Sequence, residues 1–554
     1  MAANSVTAFS ELCPFPGMRP YRPAEELLFT GRDQESARVS ELWRSRNLTI
    51  LYGPAGIGKT SLLHGGVMPY LWRLGANVLP VGRVSGGPIF PEAAVPSPNS
   101  LVRTLLRTWV PETSLPPTGI RRILRLAERG PKPLLVAVDQ IEDMYLGDHD
   151  DERRELLAAL AAARNVHLLL CVRDDRLDAL LDEAGDGFPD VALFGLGGLP
   201  PRAAAEAIGQ PVREATGRAV PPAVAEALVE ELLTVRIVDD SGTQRARERA
   251  PAVNPLHLQA VCRWMWRTWP EGESSLSGDW PVSVDEALRD ALWTAIGEVA
   301  AAFERDPVRL CSWAATRFVA PTGEAQVQPQ GPAETAGLPN AVLRALSGRG
   351  VLRVLRAGDG PAYQVADRRL LEPLGQLAHR AGSLTPPVTR PADRLRAAAD
   401  ALADGDPARA ERQARLAASA AAHDIRVQID AHTVLGNIAF ARRDLEQAQE
   451  AYRRVLVLLE TQQDEAAVGV MLAAIGRLSL ARGDVAAAQG LLRAAAGRLP
   501  ADPFIRIELA RALAEAGQRA AAVAILRSVM TAAEDDEARI LHGRLMAEMS
   551  GRPA

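Results

Sequence analysis

The stretch Gly53-Pro-Ala-Gly-Ile-Gly-Lys-Thr60 has the residue types and spacing of a loop that cradles phosphate. Glycines at 53, 56 and 58 let the backbone curl, so that successive N–H groups converge on one anion. Lys59 adds a compact ammonium on a flexible stem. Of the 63 basic residues only two are lysine, Lys59 and Lys132, so arginine serves almost everywhere a positive charge is needed. A planar guanidinium is too bulky to sit between the β- and γ-phosphates, which accounts for the lysine here. Thr60 offers the hydroxyl that would ligate Mg2+. Pro54, Ala55, Ile57 and Ser61 complete the candidate contacts to a nucleotide, ATP or ADP.

Two further positions could share that chemistry. Asp139 ends the apolar run Leu134-Leu-Val-Ala-Val and would hold Mg2+ from the carboxyl end of a central strand. Gln140 follows it, an amide where a water-activating Glu often stands in fast ATPases, so slow hydrolysis is expected. Glu142 is the candidate general base, although an acid at a helix start needs no such role. Arg173 ends the run Val166-His-Leu-Leu-Leu-Cys-Val172 and could report a γ-phosphate. It could equally pair with its neighbours Asp174 and Asp175.

These residues need a parallel sheet to place them. Leu48-Thr-Ile-Leu-Tyr52, Leu134–Asp139 and Val166–Val172 read as buried strands, each leading into a turn or helix. Thr60 opens a helix whose positive end faces the anion. With 47% hydrophobic and 24% charged residues the chain is globular and large enough for several domains. A net charge of −5 argues against an electrostatically driven nucleic-acid or membrane partner. Cys13, Cys171, Cys262 and Cys311 lack metal-ligand spacing and fit reduced thiols. Neither a signal peptide nor a membrane-length apolar run is visible, so a cytoplasmic protein is expected.

The chain resembles the STAND class of signal-transduction ATPases, and within it the bacterial novel STAND NTPases, over roughly residues 13 to 375. Cys13-Pro-Phe-Pro-Gly-Met-Arg-Pro-Tyr21 and Leu28-Phe-Thr-Gly-Arg-Asp33 look like the family's leading segment. Ser61-Leu-Leu-His-Gly-Gly-Val-Met-Pro-Tyr-Leu71 is similar to its helix after the phosphate loop. Asp139-Gln-Ile-Glu-Asp143 and Val172-Arg-Asp-Asp-Arg-Leu177 stand at two further family motifs. The resemblance implies an α/β P-loop NTPase with helices on both faces of a parallel sheet, then a helical lid and a winged-helix domain. It implies that Arg32 lies near the nucleotide and that Pro255, in Asn254-Pro255-Leu256, packs on the adenine. The family's His-Asp pair that senses ADP falls on Ala366-Asp367, so Asp367 is retained and the histidine is absent.

The expected domains are a leading segment (1–27), the nucleotide domain (28–198), a lid (199–295), a winged helix (296–378), a linker (379–390) and repeats (391–554). A polar, Arg-rich loop is expected at 239–250. A β-hairpin is expected across Gly350–Leu355 and Tyr363–Ala366, turning at Gly358–Pro361. The Pro/Gly-rich stretch Gly82–Pro98 reads as a long surface loop. In the repeats, small residues recur twelve apart as Ala398/Ala410, Gly436/Ala448, Gly476/Ala488 and Ala510/Ala522, with short polar turns between. This pattern resembles tetratricopeptide repeats, an all-α solenoid with a surface for protein or peptide ligands.

The resemblance implies an ATP/ADP-dependent switch and slow ATPase. Its repeats would sense a ligand, and its open form would oligomerise and recruit a separate effector protein, in signalling or in bacterial defence against phage. The alternatives are a non-cycling, nucleotide-stabilised scaffold, or a transcription regulator that uses its winged helix on DNA.

Overall fold

The computed structural model describes residues 13–532, apart from Met18, 86–88, 95–98, 110–123, 125–131, 147–148, Pro189, 239–243, Glu271, 277–282, 358–359 and Ala501, together with Gly543 and Met546. The expected hairpin tip at Gly358-Asp359, part of the Arg-rich loop, residues 86–88 and 95–98 of the 82–98 stretch and the last part of the repeats therefore lie outside the described residues. The chain divides into two compact units, Met1–Val78 with His167–Thr389, and Leu79–Val166 with Arg390–Ala554.

Strands β1 (Leu48–Gly53), β2 (Gly82–Arg83), β3 (Leu134–Asp139), β4 (Val166–Arg173) and β5 (Val191–Gly195) form a five-stranded parallel sheet in the order β2-β3-β4-β1-β5. All six residues of β3 are buried, as an unbroken apolar run requires.

In the first unit β1 lies between β4 and β5, with Gly53 opposite Arg173 and Tyr52 opposite Gly195. Helix α1 (Asp33–Ser45) packs on this sheet through the fully buried Trp43, whose indole N–H donates to the His167 carbonyl at 2.9 Å. Helix α2 follows the phosphate loop in three parts, Lys59–Ser61, a π-helical Leu62–Val67, and Met68–Arg73.

Helices α3 (Ser100–Trp109) and α4 (Asp150–Ala161) belong to the second unit. The first resumes with α5 (Leu177–Ala184), α6 (Pro201–Thr216), α7 (Pro222–Leu233), α8 (Pro255–Arg267) and α9 (Val284–Ala302). Residues 244–249, expected within a loop, instead form β7 (Gln244–Arg249), antiparallel to β6 (Thr234–Val238) with Thr234 opposite Arg249. A two-stranded ribbon needs no apolar face, so its run of charges carries no strand periodicity.

Helix α9 runs through the 295/296 boundary drawn from the sequence. Then come α10 (Pro307–Phe318), a short β8 (Gln328–Pro329), α11 (Asn340–Gly348), the hairpin β9 (Leu352–Ala357) and β10 (Gly360–Val365), and α12 (Leu371–Arg380). The three strands are ordered β9-β10-β8. The expected sequence of helix then hairpin is present. Helices α6 to α9, the hairpin and α12 share one apolar core, which also takes in Phe15.

The second unit holds β2, β3, α3, α4 and the repeats: α13 (Pro391–Ala403), α14 (Pro407–Ala420), α15 (Ile425–Ala441), α16 (Leu445–Gln462), α17 (Glu465–Ala481), α18 (Val485–Arg498), α19 (Pro503–Glu515) and α20 (Arg519–Ala532). The small residues do the work their spacing predicts. A Cβ on Gly476 would lie 2.8 Å from Leu492 of the partner helix, and one on Gly436 would strike the Tyr452 ring. Three of the polar turns are caps. Asp406, Asp444 and Asp484 each accept from a backbone N–H three residues on, at 2.9, 3.0 and 3.0 Å.

The 82–98 stretch is not simply a surface loop. Phe90, Ala93 and Ala94 are buried within the core of the repeats.

Candidate functional site

The phosphate loop leaves β1 at Gly53, and Gly56 and Gly58 take the left-handed φ values of 77° and 96° that its tight curl demands. A Cβ on Gly58 would meet nothing within 4 Å. Lys59 is buried at the start of α2. Its ammonium donates to the Gly53 and Pro54 carbonyls at 2.6 and 3.1 Å, folding back over its own loop. Thr60 is half-buried. The Ser61 hydroxyl accepts from the Tyr21 N–H at 3.3 Å and so anchors the leading segment.

That segment ties α2 to α8. Gln259 of α8 donates to the Tyr21 hydroxyl at 3.0 Å and accepts from the Gly17 N–H at 3.4 Å, while Arg263 reaches the Phe15 and Pro16 carbonyls at 3.5 Å. Burial pushes the Tyr21 pKa up. Sequence reasoning missed Gln259 and Arg263, which carry no motif and reach their partners across more than 200 residues.

The first turn of α8 covers the loop. Asn254 caps the helix by accepting from the Leu256 N–H at 2.9 Å, and Pro255 fills the first position, where its missing N–H costs nothing. Leu256 is the residue that touches the site. A Cβ on Gly56 would lie 3.1 Å from its Cδ2, and one on Gly350, at the start of the hairpin, would overlap the same methyl. One side chain thus bridges phosphate loop, α8 and hairpin.

The other candidates in this unit are engaged. Arg32 is buried, pairs with Glu35 at 2.6 Å and donates to the Gly197 carbonyl at 2.6 Å. It holds the chain leaving β5. Arg173 makes a bidentate pair with Asp175, both contacts at 2.7 Å. Asp367 accepts from the Arg369 N–H at 2.9 Å, and its other oxygen lies 3.9 Å from Nδ1 of His257. A histidine therefore faces Asp367 after all, supplied by α8 rather than by position 366. Burial lowers the His257 pKa, Asp367 pulls it back up, and Arg369 lowers it further. Arg369 is itself held by the buried Asp285 at 2.6 Å.

The second unit places Asp139, fully buried, as the last residue of β3. Arg83, opposite it in register, donates to Oδ2 at 2.9 Å. Gln140 adopts a left-handed φ of 54°, a conformation costly for a residue with a side chain. Glu142 is half-buried in the short helical turn Ile141–Tyr145. Asp143 accepts from the Ser85 hydroxyl, and burial raises its pKa. Arg83 and Ser85 went unnoticed in the sequence, because two residues of strand give no periodicity to read.

All four cysteines are free. No described helix is long and apolar enough to cross a membrane.

The pattern of the family described as Novel STAND NTPase 1 matches residues 14–306, and that of a tetratricopeptide repeat family matches residues 479–547. No curated protein matches the chain. Among solved structures, a STAND protein with a tetratricopeptide repeat sensor from Pyrococcus horikoshii is 14% identical, covering 94% of this chain and 80% of its own, with a TM-score of 0.29. The ORC1 protein of Aeropyrum pernix in complex with DNA is 15% identical over 64% of this chain and 95% of its own, with a TM-score of 0.34. The ORC2 protein of the same organism, in ADPNP–ADP complexes, is 12% identical over 64% and 96%, with a TM-score of 0.31.

Proposed function

Because the chain belongs to the novel STAND NTPase 1 family, we propose that it is an ATP/ADP-dependent switch whose repeats sense a protein or peptide. The observation that carries this reading is Leu256, whose side chain packs at Gly56 of the phosphate loop and at Gly350 of the hairpin. A change in the loop's contents presses on lid and hairpin together. Lys59 would exchange the Gly53 and Pro54 carbonyls for phosphate oxygens, as a phosphate-binding loop requires. The hairpin and its helix act as the winged-helix element of the switch. Asp367, facing His257, is its contact to the ADP-bound state.

Thr60 and Asp139 offer a hydroxyl and a carboxylate, hard oxygen donors that fit Mg2+ completed by water and phosphate. The ion, when bound, would neutralise phosphate charge. Glu142 is proposed as the base and Arg173, once released from Asp175, as the γ-phosphate contact. Arg32, by contrast, supports the site through the backbone beyond β5. Gln140 in place of an acid suits slow hydrolysis that resets the switch. The ATP form would assemble into a homo-oligomer that recruits a separate effector, with antiphage defence as the setting. Moving such a switch from 1:99 to 99:1 takes about 5.5 kcal/mol of discrimination between its states.

The test is calorimetric titration of the purified chain with ADP and with a non-hydrolysable ATP analogue, followed by native mass in each state. Binding of both, weakened in Lys59→Ala, with a larger assembly under the ATP analogue, is expected. A folded chain that binds neither nucleotide would refute the reading.

A further inference from the structure

Residues 89–94, Ile-Phe-Pro-Glu-Ala-Ala, belong by sequence to the connection between β2 and α3, yet they lie in the repeats as a peptide lies in a receptor. Asn437 of α15 reads the main chain on both sides of Pro91. Its Nδ2 donates to the Phe90 carbonyl at 2.8 Å, and its Oδ1 accepts from the Glu92 N–H at 3.0 Å. The intervening proline has no N–H to leave unsatisfied. Tyr452 of α16 donates its hydroxyl to the same Oδ1 at 2.7 Å and fixes the amide's orientation. One repeat on, Arg477 of α17 donates to the Ala93 carbonyl at 2.6 Å and is steadied by Glu508 at 3.5 Å.

Asn437 and Arg477 occupy the same place in successive repeats, each directly after the small residue, Gly436 or Gly476, that lets the helix pair close. The periodicity that builds the array therefore also aims these two side chains at one bound segment. Between the polar contacts, Phe90, Ala93 and Ala94 share a buried cluster with Ala439, Tyr452 and Ala474. At the positions of Ala93 and Ala94, 1% and 4% exposed, a larger side chain has no room. The Glu92 carboxylate turns instead toward Arg103 of α3, at 3.9 Å, so the array does not read it.

We infer that this groove is the ligand site of the repeats and that residues 89–94 occupy it as a tethered ligand. The external ligand is a short peptide with an aromatic residue followed, three and four positions on, by two alanine-sized residues. Deletion of main-chain contacts is not needed to release the segment; a competing peptide offers the same N–H and C=O groups. The site also has a route to the nucleotide chemistry. Arg83, seven residues before Phe90, donates to Asp139, and Ser85 donates to Asp143. Withdrawal of the segment frees the chain that positions both. This last link rests on the switch proposed above; the groove itself does not.

The tether sets the terms of competition. A short tether holds its segment at an effective concentration of order millimolar, so an external peptide must reach that range or bind more tightly. The test is fluorescence anisotropy of a labelled peptide spanning residues 87–96 with the full chain. Weak binding to the unaltered protein is expected, and at least 10-fold tighter binding to Ala93→Glu, whose segment cannot seat. Adding Asn437→Ala to that variant should abolish the gain. A cooperatively melting Ala93→Glu chain that gains no affinity, or a gain indifferent to Asn437, overturns the inference and leaves a fixed packing contact. Should Ala93→Glu not fold, hydrogen exchange at the Glu92 amide of the unaltered chain decides. Excess unlabelled peptide speeds it if the segment is displaced, and unchanged protection overturns the proposal. Labelled-ADP affinity on the same samples reports on the switch separately, so a null there leaves the groove result standing.

Discussion

The phosphate loop and the groove of the repeats solve a similar problem at opposite ranges. In each, a polar side chain that could serve a ligand grips the chain's own main-chain groups. Lys59 holds carbonyls five and six residues away, whereas Asn437 holds groups 345 and 347 residues away. The difference lies in what exchange would do. Replacing the lysine's local partners reorganises one loop. Replacing the asparagine's remote partners detaches two distant parts of the sequence from one another. A local grip suits a ligand that must enter often; a remote grip suits a signal.

The contrast can be broken or sharpened by substitution. The largest effect is expected from Lys59→Ala, which removes charge-assisted hydrogen bonds worth about 1.5–3 kcal/mol and should weaken nucleotide binding about 10- to 100-fold by calorimetry, without lowering the melting temperature much. Asn437→Ala should do the reverse. It removes three buried hydrogen bonds, those with the Phe90 carbonyl, the Glu92 N–H and the Tyr452 hydroxyl, so denaturant unfolding should show a loss of about 1–3 kcal/mol, with nucleotide affinity less affected. Leu256→Ala sits between these cases. It should cost about 1–2 kcal/mol of stability and also alter the affinity ratio for ADP over an ATP analogue; an unchanged ratio would remove Leu256 from the switch. Asp484→Ala, a lost cap in the repeats, should cost about 1 kcal/mol and leave nucleotide binding unaltered.

The smallest effect is one of pH. Burial lowers the His257 pKa from its ordinary value of 6.5, with Asp367 opposing and Arg369, itself paired with Asp285, adding to that shift. The unfolded chain therefore takes up the proton first. Stability is whole above about pH 6.5 and falls as pH drops through and below that value. His257→Gln should flatten this part of the stability profile; an unchanged slope would place the acid sensitivity elsewhere.

The phosphate loop, the acid ending β3, the helix before the hairpin and the twelve-residue rhythm of the repeats were all legible because each is local. A loop that needs left-handed glycines next to a lysine, or helices that close only over glycine and alanine, writes its requirement into consecutive residues. The ribbon strand at 244–249 was not legible, since Gln244-Arg-Ala-Arg-Glu-Arg249 has no apolar alternation to betray it.

Sequence by itself determined where phosphate chemistry can occur and that the carboxyl-terminal part is a helical array. Only the tertiary structure decided that His257 would face Asp367, that Leu256 would bridge the phosphate loop and the hairpin, and that residues 89–94 would lie in the repeats. Those pairings join residues 94 to 384 positions apart. Chain connectivity puts no constraint on which distant surfaces meet, so only the packing of the folded chain selects them.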